Sequence, residues 1–112
     1  MDINNLNQQR KILNNLMENN DDFFKEFGNL DDKTYSSGAI PKKYKELMGL
    51  AISVLSKCDE CILYHIQGCI STGVNKDEMI EAIKIGVIGG GSITYPNARY
   101  AFSILKELKI ID

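Results

Sequence analysis

The sequence predicts an all-α protein, a single bundle domain of about six helices, on three observations. Apolar residues recur at the three-four spacing of helix faces along most of the chain. Capping residues, Pro and Gly punctuate these runs at intervals suited to short connections. No segment shows convincing apolar–polar alternation, and the Val/Ile-rich piece over 85–88, which could be a strand in isolation, continues a helical period. At 112 residues the chain is expected to be one domain, with an N-terminal helical extension over 1–40 and a core over 41–110.

Residues 4–20 carry Leu6, Leu13, Leu16 and Met17 at a loose helical spacing, weakened by many Asn residues. Phe23, Phe24 and Phe27 form a short segment that Gly28 is expected to end, and residues 31–39 look like a loop. Pro41 suits the first turn of a helix, where its missing N–H costs nothing. From there Tyr44, Leu47, Met48, Ala51, Val54 and Leu55 define a buried face, which Leu50 and Ile52 widen. Ser56 followed by Asp59 resembles the start signal of the next helix, over about 58–71, with a stop near Gly73. Asn75 and Glu78 form a second capping signal, ahead of Met79, Ile80, Ile83 and Val87. Gly89, Gly90 and Gly91 are expected to break that helix and to allow close packing. They are not a phosphate loop, because no Lys-Ser/Thr follows and no strand clearly precedes them. A last helix carries Ala98, Ala101, Phe102, Leu105 and Leu108.

Thirteen Lys and Arg against fifteen Asp and Glu leave a net charge of −2, which argues against nucleic acid as a partner. The longest apolar stretch, around Leu47 to Leu55, is interrupted by Gly49 and Ser53 and is too short to span a bilayer, so no membrane partner is expected. Residues 2–22 are rich in Asn and Asp and hold no apolar signal region, which points to a reducing cytoplasm. Three cysteines in such a chain are not a disulfide framework. Several broad apolar faces on so small a body point to a homo-oligomer.

The segment richest in chemistry is Cys58-Asp59-Glu60-Cys61-Ile62-Leu63-Tyr64-His65, which holds the only histidine. Cys61 and His65 lie one turn apart on one helix face, and Cys58 lies a turn before Cys61 at the helix N-terminus. Two thiols so spaced can close a small disulfide. The unpaired N–H groups of a helix start favour thiolate, and an imidazole one turn away can take up or return its proton. Asp59 and Glu60 oppose this, since nearby negative charge raises a thiol pKa.

Plainer readings stand beside that one. Cys58, Cys61, His65 and Cys69 could suggest a zinc site, but Cys58 and Cys69 would lie roughly 16 Å apart along a straight helix, too far for one ion. Three of these ligands with a fourth from elsewhere would still be feasible. The cysteines could be small core hydrophobes, the reading preferred for Cys69, and His65 could simply face solvent. Glu46, just ahead of the most apolar stretch, would relay protons if buried. Periodicity alone favours a simple solvated pair with Lys42, one turn before it.

From Lys45 to about Leu108 the chain resembles the carboxymuconolactone decarboxylase-like family, and more specifically its alkyl hydroperoxidase D-like branch. The resemblance rests on Lys45-Glu46-Leu47, Leu50-Ala51-Ile52-Ser53, Cys58-Asp59-Glu60-Cys61, Tyr64-His65, Gly73-Val74, the stretch from Glu78 to Ala82 and the glycines at 89–91. It implies an all-helical fold, assembly into a trimer or hexamer, and a catalytic set of Glu46, Cys58, Cys61 and His65 with no cofactor and no metal. In that branch the thiols cycle between dithiol and disulfide, and Glu and His relay protons. The chain departs from the branch at Glu60, where the hydroperoxidase has His, and in being one helical unit where that enzyme has two.

The expected activity is a thiol-dependent peroxidase or disulfide oxidoreductase. Its substrate would be a hydroperoxide or a disulfide, and a dithiol protein or small thiol would restore the pair. The alternatives are a carboxymuconolactone decarboxylase-type lactone enzyme, which needs no thiol pair, and a non-catalytic oligomeric module responding to redox state or metal.

Overall fold

A computed structural model describes residues 1–112. Six α-helices and one 3-10 turn account for its regular structure, with no strand, as the periodicity requires. None of the helices is long and apolar enough to cross a membrane. The chain forms two compact units, Met1–Ser36 and Ser37–Asp112.

The first unit consists of α1 (Ile3–Asn20) and α2 (Asp22–Tyr35). Asp2 caps α1 by accepting from the Asn5 N–H at 3.0 Å. A single extended residue, Asp21, serves both helices. Its N–H bonds the Met17 carbonyl at 3.1 Å, and its carboxylate accepts from the Phe23 N–H at 2.9 Å. Gly28 does not end α2, and residues 31–35, expected as loop, are helical. One interior Gly costs a helix only about 1 kcal/mol, and the turn after it closes without a break. Phe23, Phe27 and Leu30 recur at four and three residues and are 60, 60 and 62% exposed, so the apolar stripe of α2 lies uncovered within the chain. Phe23 stacks on Phe27 with centroids 6.4 Å apart.

The second unit holds α3 (Lys42–Leu55), α4 (Asp59–Ser71), α5 (Lys76–Gly90), a 3-10 turn (Ser92–Thr94) and α6 (Tyr95–Glu107). Helix α3 packs on both α4 and α5, and α6 crosses α4. Leu50, Val54, Ile62, Ile66, Ile104 and Leu105 are completely buried and form the core. Pro41 stands just before the first residue of α3, and its carbonyl accepts from Tyr44 and Lys45. The capping box at α5 forms as the sequence indicates. Asn75 Oδ1 accepts from the Glu78 N–H at 2.9 Å, and Glu78 Oε1 accepts from the Asn75 N–H at 3.0 Å. Gly73, at φ 83°, marks the stop after α4.

Two expectations change here. Gly89 and Gly90 remain inside α5, and only Gly91, at φ 81°, breaks it. Close packing does involve this run, since a Cβ on Gly90 would overlap the Thr94 side chain and lie 3.2 Å from Leu55 Cδ1 of α3, and Gly86 adds to it, where a Cβ would lie 2.7 Å from the Ala51 carbonyl oxygen. Ser56 does not start α4 but closes α3, its hydroxyl donating to the Ile52 carbonyl at 2.8 Å.

Candidate functional site

The turn between α3 and α4 fixes the first cysteine. Lys57 adopts a left-handed conformation, φ 57°, and its N–H bonds the Val54 carbonyl at 3.1 Å. The Cys58 N–H reaches back to the Ser53 carbonyl at 3.0 Å. This pair of bonds is a Schellman closure, which satisfies carbonyls that the end of α3 leaves open. Cys58 therefore ends one helix and caps the next: its sulfur accepts the Cys61 N–H at 3.3 Å. Cys58 and Cys61 are joined as a disulfide with Cα atoms 5.2 Å apart. Cys61 is exposed and Cys58 half-buried, so the pair lies at the surface. A groove of about 530 Å³ between α3 and α5 includes neither sulfur.

One turn behind Cys61, His65 is buried rather than solvent-facing. Its Nδ1 lies 2.9 Å from Oε2 of Glu46, which is also buried. A carboxylate can only accept, so Nδ1 carries the proton of this bond, and proton exchange with any other group goes through Nε2. The other carboxylate oxygen, Oε1, lies 3.0 Å from Lys42 Nζ. The simple solvated pair expected for Glu46 and Lys42 is thus corrected in half: the ion pair exists, but its acid is buried and shared with His65. Tyr64 meets the imidazole edge-on with centroids 5.2 Å apart.

Two glycines make room for this pair. A Cβ on Gly49, three residues after Glu46, would come within 2.5 Å of the His65 ring. A Cβ on Gly68, three residues after His65, would overlap the Glu46 carboxylate. Each helix thus leaves a gap one turn after its own polar residue, and the partner's side chain enters it.

Helix α6 braces the cysteine turn. Buried Asn97 donates from Nδ2 to Asp59 Oδ1 at 2.9 Å, tying down the residue after Cys58. Tyr100, a turn further, has its hydroxyl pKa raised by burial and then by the charges of Asp59 and Glu60. Those acids suit the N-terminal dipole of α4 while opposing thiolate formation. Cys69 is fully buried, as expected for a core residue. Burial, then the charges of Glu46 and Glu78, push its thiol up to about 12, so it stays protonated at neutral pH.

The four residues singled out from sequence therefore form two bonded pairs, Cys58–Cys61 and Glu46–His65, joined through α4. Sequence reasoning missed the part played by Gly49, Gly68 and Asn97. The two glycines carry a local signal, since each sits at i+3 from Glu46 or His65; Asn97 carries none, being 38 residues from its partner.

The second unit is thus a small all-helical body with a helix-capping Cys-x-x-Cys joined as a disulfide and a buried Glu–His pair whose imidazole lies one turn along the same helix. The profile of the carboxymuconolactone decarboxylase family matches residues 21–107, and the chain belongs to that family. The chain is similar to a family protein of Thermotoga maritima for which a part in the antioxidative response has been suggested. That similarity is 39% identity over 91% of this chain and 87% of the other, with a TM-score of 0.86. A family protein of Legionella pneumophila, solved in its apo form, matches at 25% identity and TM-score 0.78, over 93% and 90% of the two chains. A Paracoccus denitrificans protein described as uncharacterized protein 4 in the cox locus is 27% identical over 70% of this chain and 71% of its own length.

Proposed function

We propose that the protein is a thiol-dependent peroxidase or disulfide oxidoreductase of the alkyl hydroperoxidase D-like branch, working through Cys58 and Cys61 with Glu46 and His65 as proton relay. The observation that carries this reading is the surface disulfide at a helix start with a buried carboxylate–imidazole pair one turn behind it. The part suggested for the Thermotoga relative in the antioxidative response accords with it.

In the reduced protein, His65 Nε2 takes the Cys61 proton. The thiolate attacks one oxygen of a hydroperoxide, forming an S–O bond and breaking the O–O bond. The alkoxide leaves with the proton returned by His65, so the products are an alcohol and a Cys61 sulfenic acid. The Cys58 sulfur then displaces the sulfenic oxygen. An S–S bond forms, the S–O bond breaks, and water leaves with the Cys58 proton. An external dithiol, of a protein or a small molecule, supplies the two electrons that restore the pair, in a reducing cytoplasm.

A second assignment has its own support. The Cys58 sulfur accepts a backbone N–H, a bond that strengthens as sulfur gains charge. Cys58 would then attack first, and a protein disulfide would replace the peroxide as oxidant. Stopped-flow oxidation of the reduced protein by a hydroperoxide and by a model disulfide distinguishes the two by rate. Lactone decarboxylation would persist after both thiols are alkylated; the proposal requires that alkylation abolish turnover. Stoichiometric metal in the purified protein with no thiol turnover would instead favour the non-catalytic module.

The uncovered apolar stripes of α1 and α2 support assembly into a homotrimer or homohexamer.

A further inference from the structure

We propose that Lys42 is a positioning residue of the Glu46–His65 pair, holding the carboxylate ionised and rotated so that His65 stands as a neutral base toward the thiols. The effect on turnover rests on the relay proposed above; the effect on the pair does not.

Lys42 is the first residue of α3, where the helix dipole favours an acid, and that first turn contains no acid. A Lys preceding Glu by four residues is also the less favourable order for helix stability. Local helix physics thus gives no reason for a cation here. The contact does: Nζ lies 3.0 Å from Oε1 of a carboxylate whose side chain is 4% exposed, while Oε2 faces His65 at 2.9 Å. Each oxygen has its own partner, so the carboxylate cannot rotate without losing one of them. The neighbouring Lys43 is directed elsewhere, to Glu78 at 3.5 Å.

Buried Glu46 and half-exposed Lys42 together are neutral, so the cluster is neutral when His65 is neutral and ready to accept a proton. Without Lys42, neutrality requires the Glu46–His65 pair to hold a proton itself, and a pair that already holds it is a poor acceptor. Of the titratable groups on the other packed helices, the Cys69 thiol of α4 is protonated, Glu78 of α5 is tied to Lys43, and Tyr100 of α6 has Asp59 and Glu60 as its charged neighbours, so none of these supplies a cation.

The lone histidine makes the test direct, because every imidazole resonance in an NMR titration belongs to His65. In Lys42→Met, the pH dependence of those resonances should move to higher pH by about 0.5–1 unit. Thiol turnover near neutrality should fall about 3- to 10-fold, with the loss shrinking as pH rises. Lys42→Arg should restore both. Lys42→Gln, similar in length and uncharged, serves should the Met variant fail to fold. Unchanged resonances and an unchanged pH profile in a folded uncharged variant would overturn the proposal, as would a shift that Arg does not reverse. A shifted titration in a protein that never turns over thiols would support the role of Lys42 in the pair and overturn the redox reading.

Discussion

Gly49 and Gly68 stand one turn after Glu46 and His65 on their own helices, and each receives the other's side chain. Adding a methyl group at Gly68 should therefore do more than repack a core. In an ordinary helix interior, Gly→Ala stabilises by about 1 kcal/mol. Here the new Cβ overlaps the Glu46 carboxylate, so Gly68→Ala should instead destabilise by about 1–3 kcal/mol and lower turnover at least 10-fold. Denaturant melts and steady-state rates check both. At the cysteines, replacing either Cys58 or Cys61 by Ser should abolish turnover. Cys69→Ala should retain it while costing about 1–2 kcal/mol for the small cavity. Full activity in Cys58→Ser would contradict a dithiol cycle.

The same residues show what was legible in the sequence. Cys58, Cys61 and His65 could be placed on one helix because their spacing is local and helical periodicity reports local spacing. The burial of Glu46 could not be read that way. Its position fitted a surface pair with Lys42 as well as a buried acid, and only the packing of α3 on α4 brings His65 to it. The family resemblance, not the periodicity, pointed to Glu46 beforehand.

At the scale of elements, α4 is fixed at its start by two devices of different range. The Schellman closure of α3 sets Cys58 locally, and Asn97 of α6 holds Asp59 across 38 residues of sequence. Asn97→Ala leaves a buried site unfilled and a carboxylate without its donor. It should cost about 1.5–3 kcal/mol and slow closure of the Cys58–Cys61 disulfide, as measured by thermal melts and timed alkylation. The capping box of α5 carries a pH dependence of known sign. Glu78 sits below its ordinary 4.5 because it accepts the Asn75 N–H, and Lys43 adds to the effect. Its contribution is present above that ordinary value and lost as pH falls through the lower folded value. Urea melts between pH 6 and 3 should show a stability loss below about 4.5 that Glu78→Gln reduces. The starts of α3 and α5 were readable because capping is local chemistry. The continuation of α2 past Gly28 and of α5 through Gly90 was not, because whether a glycine ends a helix depends on the turn that follows it.

For the whole molecule, an all-helical architecture of about six helices followed from a period that never shifted to two. The partners of the apolar faces did not, since periodicity marks which face is apolar but not what covers it. Leu13, Leu16, Phe23, Phe27 and Leu30 are all more than half exposed in the single chain. Light scattering at micromolar concentration should give the mass of three or six chains, and Phe27→Glu should lower it. A monomer with these side chains in water would contradict assembly through this stripe.

Thiol counting reads out the proposed dithiol cycle itself. The reduced protein is mixed with one equivalent of hydroperoxide, quenched with an alkylating agent, and mapped by peptide mass. A dithiol cycle requires loss of two of the three thiols within seconds, recovered as a Cys58–Cys61 disulfide that added dithiol reverses, with Cys69 untouched. Three thiols unchanged by peroxide in a folded protein would contradict peroxidase chemistry at this site.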